Sequence, residues 1–326
     1  MIKVCTKLGL VVSLFSVAAC SDGASSPDAN TGPDANPTQG SLLGQFEVAL
    51  IAPRLESDGT TTPGHTTVFG KVYDGVQPQG TIWTTVSTAN GCTLLTPSVP
   101  FCATPCGGSA VCVAADTCQP YPASKAVGTV QVKGVGSSAG ASFDMTPISN
   151  GYQPTAATVL NYPAFAEGDA ISFRASGSDF TPAFTLATTG VATLTLTNAT
   201  LALAAGQPLA LTWTAPTNGA SKIFVKLDIS HHGGSKGKIE CDVADNGSLT
   251  ISAAMVDALL ALGTAGFPTI VVTRRATGHA AVATGHVDLF ASSQVETAIA
   301  VPGVISCTDD TNCSPPKTCQ PDLTCK

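Results

Sequence analysis

From residue 46 onward the pattern is that of β-strands, in short runs rich in Thr, Val and aromatic residues. Such runs cover 46–51, 66–72, 81–86, 128–132, 170–174 and 184–186, and they are separated by Gly, Pro and Asp turns. The pattern sharpens after about residue 191. Leu209, Leu211 and Trp213 share one face of a strand, and Ala210, Thr212 and Thr214 share the other. Ile223, Val225, Leu227 and Ile229 alternate with Phe224, Lys226 and Asp228, as expected of a sheet with one face on a core. Runs 238–241 and 248–251 follow, joined by Asp245, Asn246 and Gly247 as a turn. Met255, Val256, Leu259, Leu260 and Leu262 predict one helix over 253–262, stopped by Gly263. Short strands are expected at 270–272 and 287–289, and a last one near 295–301. This is an all-β pattern. It predicts two β-sandwich (Ig-like) domains, at 42–188 and 189–303, with a single short helix.

The first residues break this pattern. Lys3 and Lys7 precede an apolar run of 12 residues, 8–19, which is the build of a secretory signal. A permanent membrane helix needs ~20 residues, so the run is too short to span. Its end, Val17-Ala18-Ala19-Cys20, resembles a bacterial lipobox. The resemblance implies removal of residues 1–19, lipidation of Cys20, and a membrane partner through that anchor. Ser21 follows the cysteine, where enteric lipoproteins retained in the inner membrane carry Asp. The resemblance therefore points to the outer membrane of a bacterial envelope. Residues 20–41 are rich in Ser, Asp, Pro and Asn and repeat Pro-Asp-Ala-Asn at 27–30 and 33–36. They cannot build a core and are expected to form a disordered tether.

Composition narrows the partners. After removal of 1–19 the chain carries 13 basic and 22 acidic residues, a net charge of −9, so nothing favours nucleic acid. Cys5 leaves with the signal and Cys20 takes the lipid. The ten others are Cys92, Cys102, Cys106, Cys112, Cys118, Cys241, Cys307, Cys313, Cys319 and Cys325. An even number in an exported chain predicts disulfides. Zinc is the rival, but no pair has the two-residue gap of a zinc knuckle and no histidine lies among the clusters. The tail module, 304–326, has four cysteines six apart, and Cys106, Cys112 and Cys118 in the insertion 92–118 keep the same step. Thr117-Cys118-Gln119-Pro120 matches Thr318-Cys319-Gln320-Pro321. About twenty residues cannot form a core, so such a module needs covalent staples. Of three tail pairings, Cys307 with Cys319 and Cys313 with Cys325 is favoured. The other six cysteines allow 15 pairings. Ser124 replaces a fourth cysteine in the first copy, so Cys112 must turn elsewhere, with Cys102 nearest. That copy is expected to be tied to its host domain and the terminal one to be free.

Three groupings carry possible chemistry. Gly136-Ser137-Ser138-Ala139-Gly140 fits the nucleophile-elbow pattern, with Asp228 and His279 downstream in the hydrolase order. No helix is predicted after Gly140, however, and His232-Gly233-Gly234 follows the elbow where an oxyanion loop should precede it. His231 and His232 could bind metal, but adjacent residues on a strand point to opposite faces, and a polar loop beside the Gly233-Gly234 turn is the plainer reading. Trp213 reads as core, while Trp83 is open to either role. No catalytic residue, metal site or cofactor is therefore expected, and Ser138, Asp228 and His279 are expected to be scattered.

The second half, through Leu211-Thr212-Trp213-Thr214, Ile239-Glu240-Cys241, Asp245-Asn246-Gly247-Ser248 and the strand at Val287, resembles a domain of bacterial surface lipoproteins. That resemblance covers about 120 residues and carries no catalytic residue with it. The expectation is a non-enzymatic lipoprotein with a structural, adhesion or ligand-display role towards an envelope or extracellular ligand. The alternative is an exported hydrolase or metal-dependent enzyme.

Overall fold

The computed structural model describes residues 41–55, 60–282 and 285–326; the expected signal, Cys20 and nearly all of the tether lie outside them. In chain order the strands are β1 (Ser41–Ile51), β2 (Arg54–Leu55), β3 (Thr61–Thr62), β4 (His65–Tyr73), β5 (Ile82–Ala89), β6 (Cys92–Ser98), β7 (Ala110–Ala114), β8 (Thr117–Pro120), β9 (Ser124–Lys125) and β10 (Val130–Ser137). They continue as β11 (Gly140–Met145), β12 (Gly151–Tyr152), β13 (Ala170–Ala175), β14 (Phe184–Thr189), β15 (Leu209–Thr212), β16 (Lys222–Asp228), β17 (Lys238–Ala244) and β18 (Ser248–Ile251). The helix α1 (Ala253–Leu260) is followed by β19 (Thr269–Val282) and β20 (Gly285–Ala298). The chain is all-β with this one α-helix among the described residues.

One ten-stranded sheet dominates, in the order β12-β4-β1-β20-β19-β16-β17-β6-β5, with β9 also on β4. Its centre is the β19–β20 hairpin, whose fourteen-residue arms pair from Thr269↔Ala298 to Val282↔Gly285. β1 joins β20 in parallel, so residues 41–51 lie beside residues 285–294. At the other end β6 pairs with β17. The sheet therefore runs across residues 188 and 189, where the sequence places a boundary between two domains, and draws strands from both sides.

Two layers cover the same face of this sheet. The four-stranded sheet β11-β10-β13-β14 lies over the β4–β1–β20 region. Phe46, Val48, Leu50, Val68, Val72, Val287 and Leu289 meet Val130, Val132, Ile171, Phe173 and Leu186 there. Further along, the β15–β18 pair, α1 and residues 194–203 cover β16, β17 and β6. Leu211, Trp213, Val256 and Leu259 there meet Ile223, Val225, Leu227, Ile239 and Leu94. Alternation in the strands of the large sheet feeds both cores, because inward residues are apolar at every second position. Close approach needs small residues at two places. A Cβ on Gly70 would lie 2.0 Å from the Phe46 ring, and one on Gly278 would lie 1.9 Å from the Ala187 carbonyl oxygen.

The helix forms over 253–260, shorter than its apolar pattern suggests, with the Ser252 hydroxyl accepting a hydrogen bond from the Met255 amide. Asp245, Asn246 and Gly247 do not make a hairpin. β17 pairs with β16 and β6, whereas β18 pairs with β15, so this turn carries the chain from the large sheet to the covering layer.

All ten cysteines outside the N-terminal segment are in disulfides. Cys92 and Cys241 face each other across β6 and β17 and join residues 149 apart. Cys102 pairs with Cys112 and Cys106 with Cys118. In the tail Cys307 pairs with Cys319 and Cys313 with Cys325, as the six-residue step suggests. Two expectations need correction. Cys92 belongs to the large sheet rather than to the inserted module, and no disulfide ties that module to its host: Cys112 does pair with Cys102, as expected, but both bonds close within 102–118. The tail has only internal disulfides, as expected, and rests on the loop before β19 through hydrogen bonds: Gly266 donates its amide to the Asp322 carbonyl at 2.7 Å, and the Ser306 hydroxyl donates to the Gly266 carbonyl at 2.6 Å.

Candidate binding face

The large sheet has covering layers on one face only. On the other, the alternate positions of the same strands carry Gln45 and Glu47 (β1), Phe69, Lys71 and Tyr73 (β4), Asp288 and Phe290 (β20), and Arg275 and His279 (β19). Phe224 and Lys226 (β16) and Lys238, Glu240 and Asp242 (β17) continue this face, and Trp83 (β5) closes it. At its centre the Arg275 guanidinium stands 5.1 Å from the Phe224 ring centre and 5.5 Å from that of Phe290, and it pairs with Asp242 at 3.1 Å. Register explains the sandwich. Arg275 lies opposite Ser292 and Lys222, so Phe290 and Phe224 are its diagonal neighbours on the flanking strands. The Ser292 hydroxyl donates to Glu47 at 2.8 Å. Lys238 pairs with Glu240 at 2.5 Å and sits 4.1 Å above the Trp83 ring.

Towards β4 the face opens into a shallow cleft of about 250 Å³ bordered by Gln45, Phe69, Lys71, Tyr73, Gln77 and Gln79. The Phe69 ring is half exposed, at 50%, and Lys71 lies over the Tyr73 ring at 5.5 Å. Aromatic faces, an ammonium and three carboxamides together can recognise a ligand by stacking and by hydrogen bonds. They include no nucleophile paired with a base.

The residues weighed for hydrolysis do not converge. Gly136–Gly140 is the turn of the β10–β11 hairpin, so a strand and not a helix follows it. The Ser138 hydroxyl is held there, donating to the Ala157 carbonyl at 3.3 Å and accepting from the Val159 amide at 3.0 Å. Asp228 ends β16 opposite Thr269 and accepts from the amide and hydroxyl of Ser230. His279 lies ten residues further along β19, which is about 33 Å at the rise of a strand.

His231 and His232 lie in a loop, as expected of a polar stretch beside Gly233 and Gly234, but their rings do not diverge. They sit in a turn after β16, where His232 has φ +64°, and their ring centres come within 3.9 Å. Groups of three or more metal-ligating side chains occur, among the described residues, only as Cys102, Cys106 and Cys118 and as Cys307, Cys313 and Cys325. Those sulfurs are in disulfides and have no thiolate to offer.

A polar node under the β15–β18 layer is the feature that strand alternation alone misses. Arg274 is fully buried, at an inward position of β19. Its Nε donates to Asp245 Oδ2 at 2.6 Å and one terminal nitrogen donates to Asp245 Oδ1 at 3.1 Å. The remaining donors reach the carbonyls of Ala192, Thr193 and Thr214. Asp245 also accepts from Trp213 Nε1 and from the Ser221 hydroxyl, each at 2.7 Å. All five guanidinium N–H groups are thus used, so the node is closed to a ligand and structural in role. Its signal in the sequence is an arginine in phase with Ile270, Val272 and Ala276.

No family model and no curated protein matches this chain. The likeness of the second half to surface-lipoprotein domains therefore rests on the residues that suggested it.

Proposed function

We propose that this chain is a lipid-anchored envelope protein, held at Cys20 in the outer membrane, that displays the uncovered face of its large sheet to a ligand without catalysing a reaction on it. The one-sided layering carries this reading: the strands from β4 to β6 are covered on one face, while the other leaves Phe69 half exposed beside the cleft at Gln45 and the Arg275 sandwich partly open, with the arginine side chain 21% exposed. The disulfides support it, because a stapled scaffold keeps such a face in shape outside the cell. The tether, residues 20–41, would set its distance from the lipid, and it enters at β1, on the strand bordering the cleft.

Capture from envelope extracts with the soluble form, residues 21–326, tests the reading. Phe69→Asp alters the face and Ile148→Asp alters another exposed apolar residue, 59% accessible. The expected result is a component retained by the unaltered chain and by Ile148→Asp, and reduced about tenfold or more by Phe69→Asp. Equal retention by all three would remove the face from the proposal.

A further inference from the structure

The free edge of the large sheet is β5, which pairs only with β6. Edge strands offer unpaired amides and carbonyls, and proteins usually guard them with lysine, proline or an inward charge. This edge has neither lysine nor proline, and its one guard is a β-bulge. Ile82–Ala89 contains no charged residue and no proline, and residues 75–115, which surround it, contain no Asp, Glu, Lys, Arg or His. A single irregularity at Val86 interrupts its register with β6.

Residues 180–221 form a second uncharged run of similar length, and the contrast between the two is informative. None of the large hydrophobic residues exposed among the described residues falls in that second run, which lines the two cores. Half of them fall in the first: Val76 (40%), Ile82 (38%), Val86 (54%), Val99 (72%) and Phe101 (79%). Similar composition has been buried in one place and left in water in the other, on a strand whose outer hydrogen bonds are unmade.

We infer that β5 pairs with β5 of a second copy of this chain, antiparallel about a two-fold axis, so that two large sheets become one. Charge favours a second copy as the occupant. Each molecule carries a net charge of −7 over its whole sequence, so two copies repel wherever charged surfaces meet, and the uncharged edge is where that repulsion is least. The strand is also compatible with itself. Thr84, Thr85 and Thr88 with Ile82 and Val86 supply the hydroxyl and β-branched side chains that pair well across strands. A two-fold contact needs one patch that complements itself, and eight residues give a seam of about 27 Å. The edge also lies six strands from β1, roughly 29 Å across the sheet, so pairing there leaves both chains free to run to their N-termini.

Site-specific photo-cross-linking in the full-length protein tests this. A benzoyl-phenylalanine is placed at Val86, and in a control at Ile148. The expected product is a covalent homodimer from position 86 and none from 148. Thr84→Lys together with Thr88→Lys, both at exposed positions, should reduce the yield about tenfold or more while leaving the monomer folded by circular dichroism, because like charges would then face each other across the axis. An adduct at 86 with a different protein, an adduct with lipid, no adduct at all, or a homodimer that the two lysines leave intact would each overturn the proposal.

Discussion

Asp245→Asn is the perturbation with the largest consequence for stability. Asp245 and Arg274 are each 1% exposed at the side chain, and the carboxylate receives four hydrogen bonds, two on each oxygen. The change keeps the shape but removes the charge and turns one acceptor into an NH₂ donor. Both carboxylate oxygens receive an arginine N–H, at 2.6 and 3.1 Å, so either orientation of the amide sets N–H against N–H. Arg274 is left as an uncompensated buried charge, a loss of about 3–5 kcal/mol. With a urea m-value of about 3 kcal/mol/M, the unfolding midpoint should fall by about 1–1.7 M. Tryptophan fluorescence under oxidising conditions reads the transition, since Trp213 donates to this carboxylate. Arg54→Ala is the contrast: its pair with Glu296, at 3.2 Å, is half in solvent and should be worth less than about 1 kcal/mol. A shift for Asp245→Asn no larger than that of Arg54→Ala would refute the assignment of the node as a fully desolvated ion pair.

Two further outcomes are expected. Replacing Cys92 and Cys241 together by serine opens a covalent loop spanning 149 residues, and equilibrium unfolding should show a loss approaching about 5 kcal/mol, the chain-entropy upper bound for a loop of that length. Acid should destabilise the fold in a defined window. Hydrogen bonds from Lys125 to Asp74, from the Asn218 amide to Glu167, from Thr311 to Asp309 and from Lys326 to Asp322 hold these carboxyls below their ordinary values of 3.8 and 4.5. Their contribution is therefore complete above the unfolded values and is lost as pH falls through the lower folded ones, so thermal midpoints should be flat from pH 7 to about 5 and decline below about 4.

Local features were legible in the sequence, and those that depend on distant partners were not. The alternation from Ile223 to Ile229 gives β16 to within a residue at each end, and the constant cysteine step gives the tail pairing. The long hairpin was read as separate short strands, because Gly278 and the outward Arg275, Thr277 and His279 look like breaks. Gly278 is instead there because β14 crosses too close for a side chain. The parallel pairing of β1 with β20, about 240 residues away, has no local signature, so a boundary at 188/189 was the natural reading of a chain whose halves share one sheet. The open face was hidden for a related reason. Phe224, Phe290 and Arg275 come from three strands, and only the register makes them neighbours.

The most direct test of the proposed role is lipid labelling at Cys20. Cells expressing the full chain, or its Cys20→Ser variant, are fed an alkyne fatty acid, fractionated and probed for labelled protein. The account predicts label and membrane association for the unaltered chain. For the variant it predicts neither, together with retention of residues 1–19, since several acyl chains at ~0.8 kcal/mol per buried CH₂ hold firmly where none holds at all. Label and membrane association that persist unchanged in Cys20→Ser would contradict it.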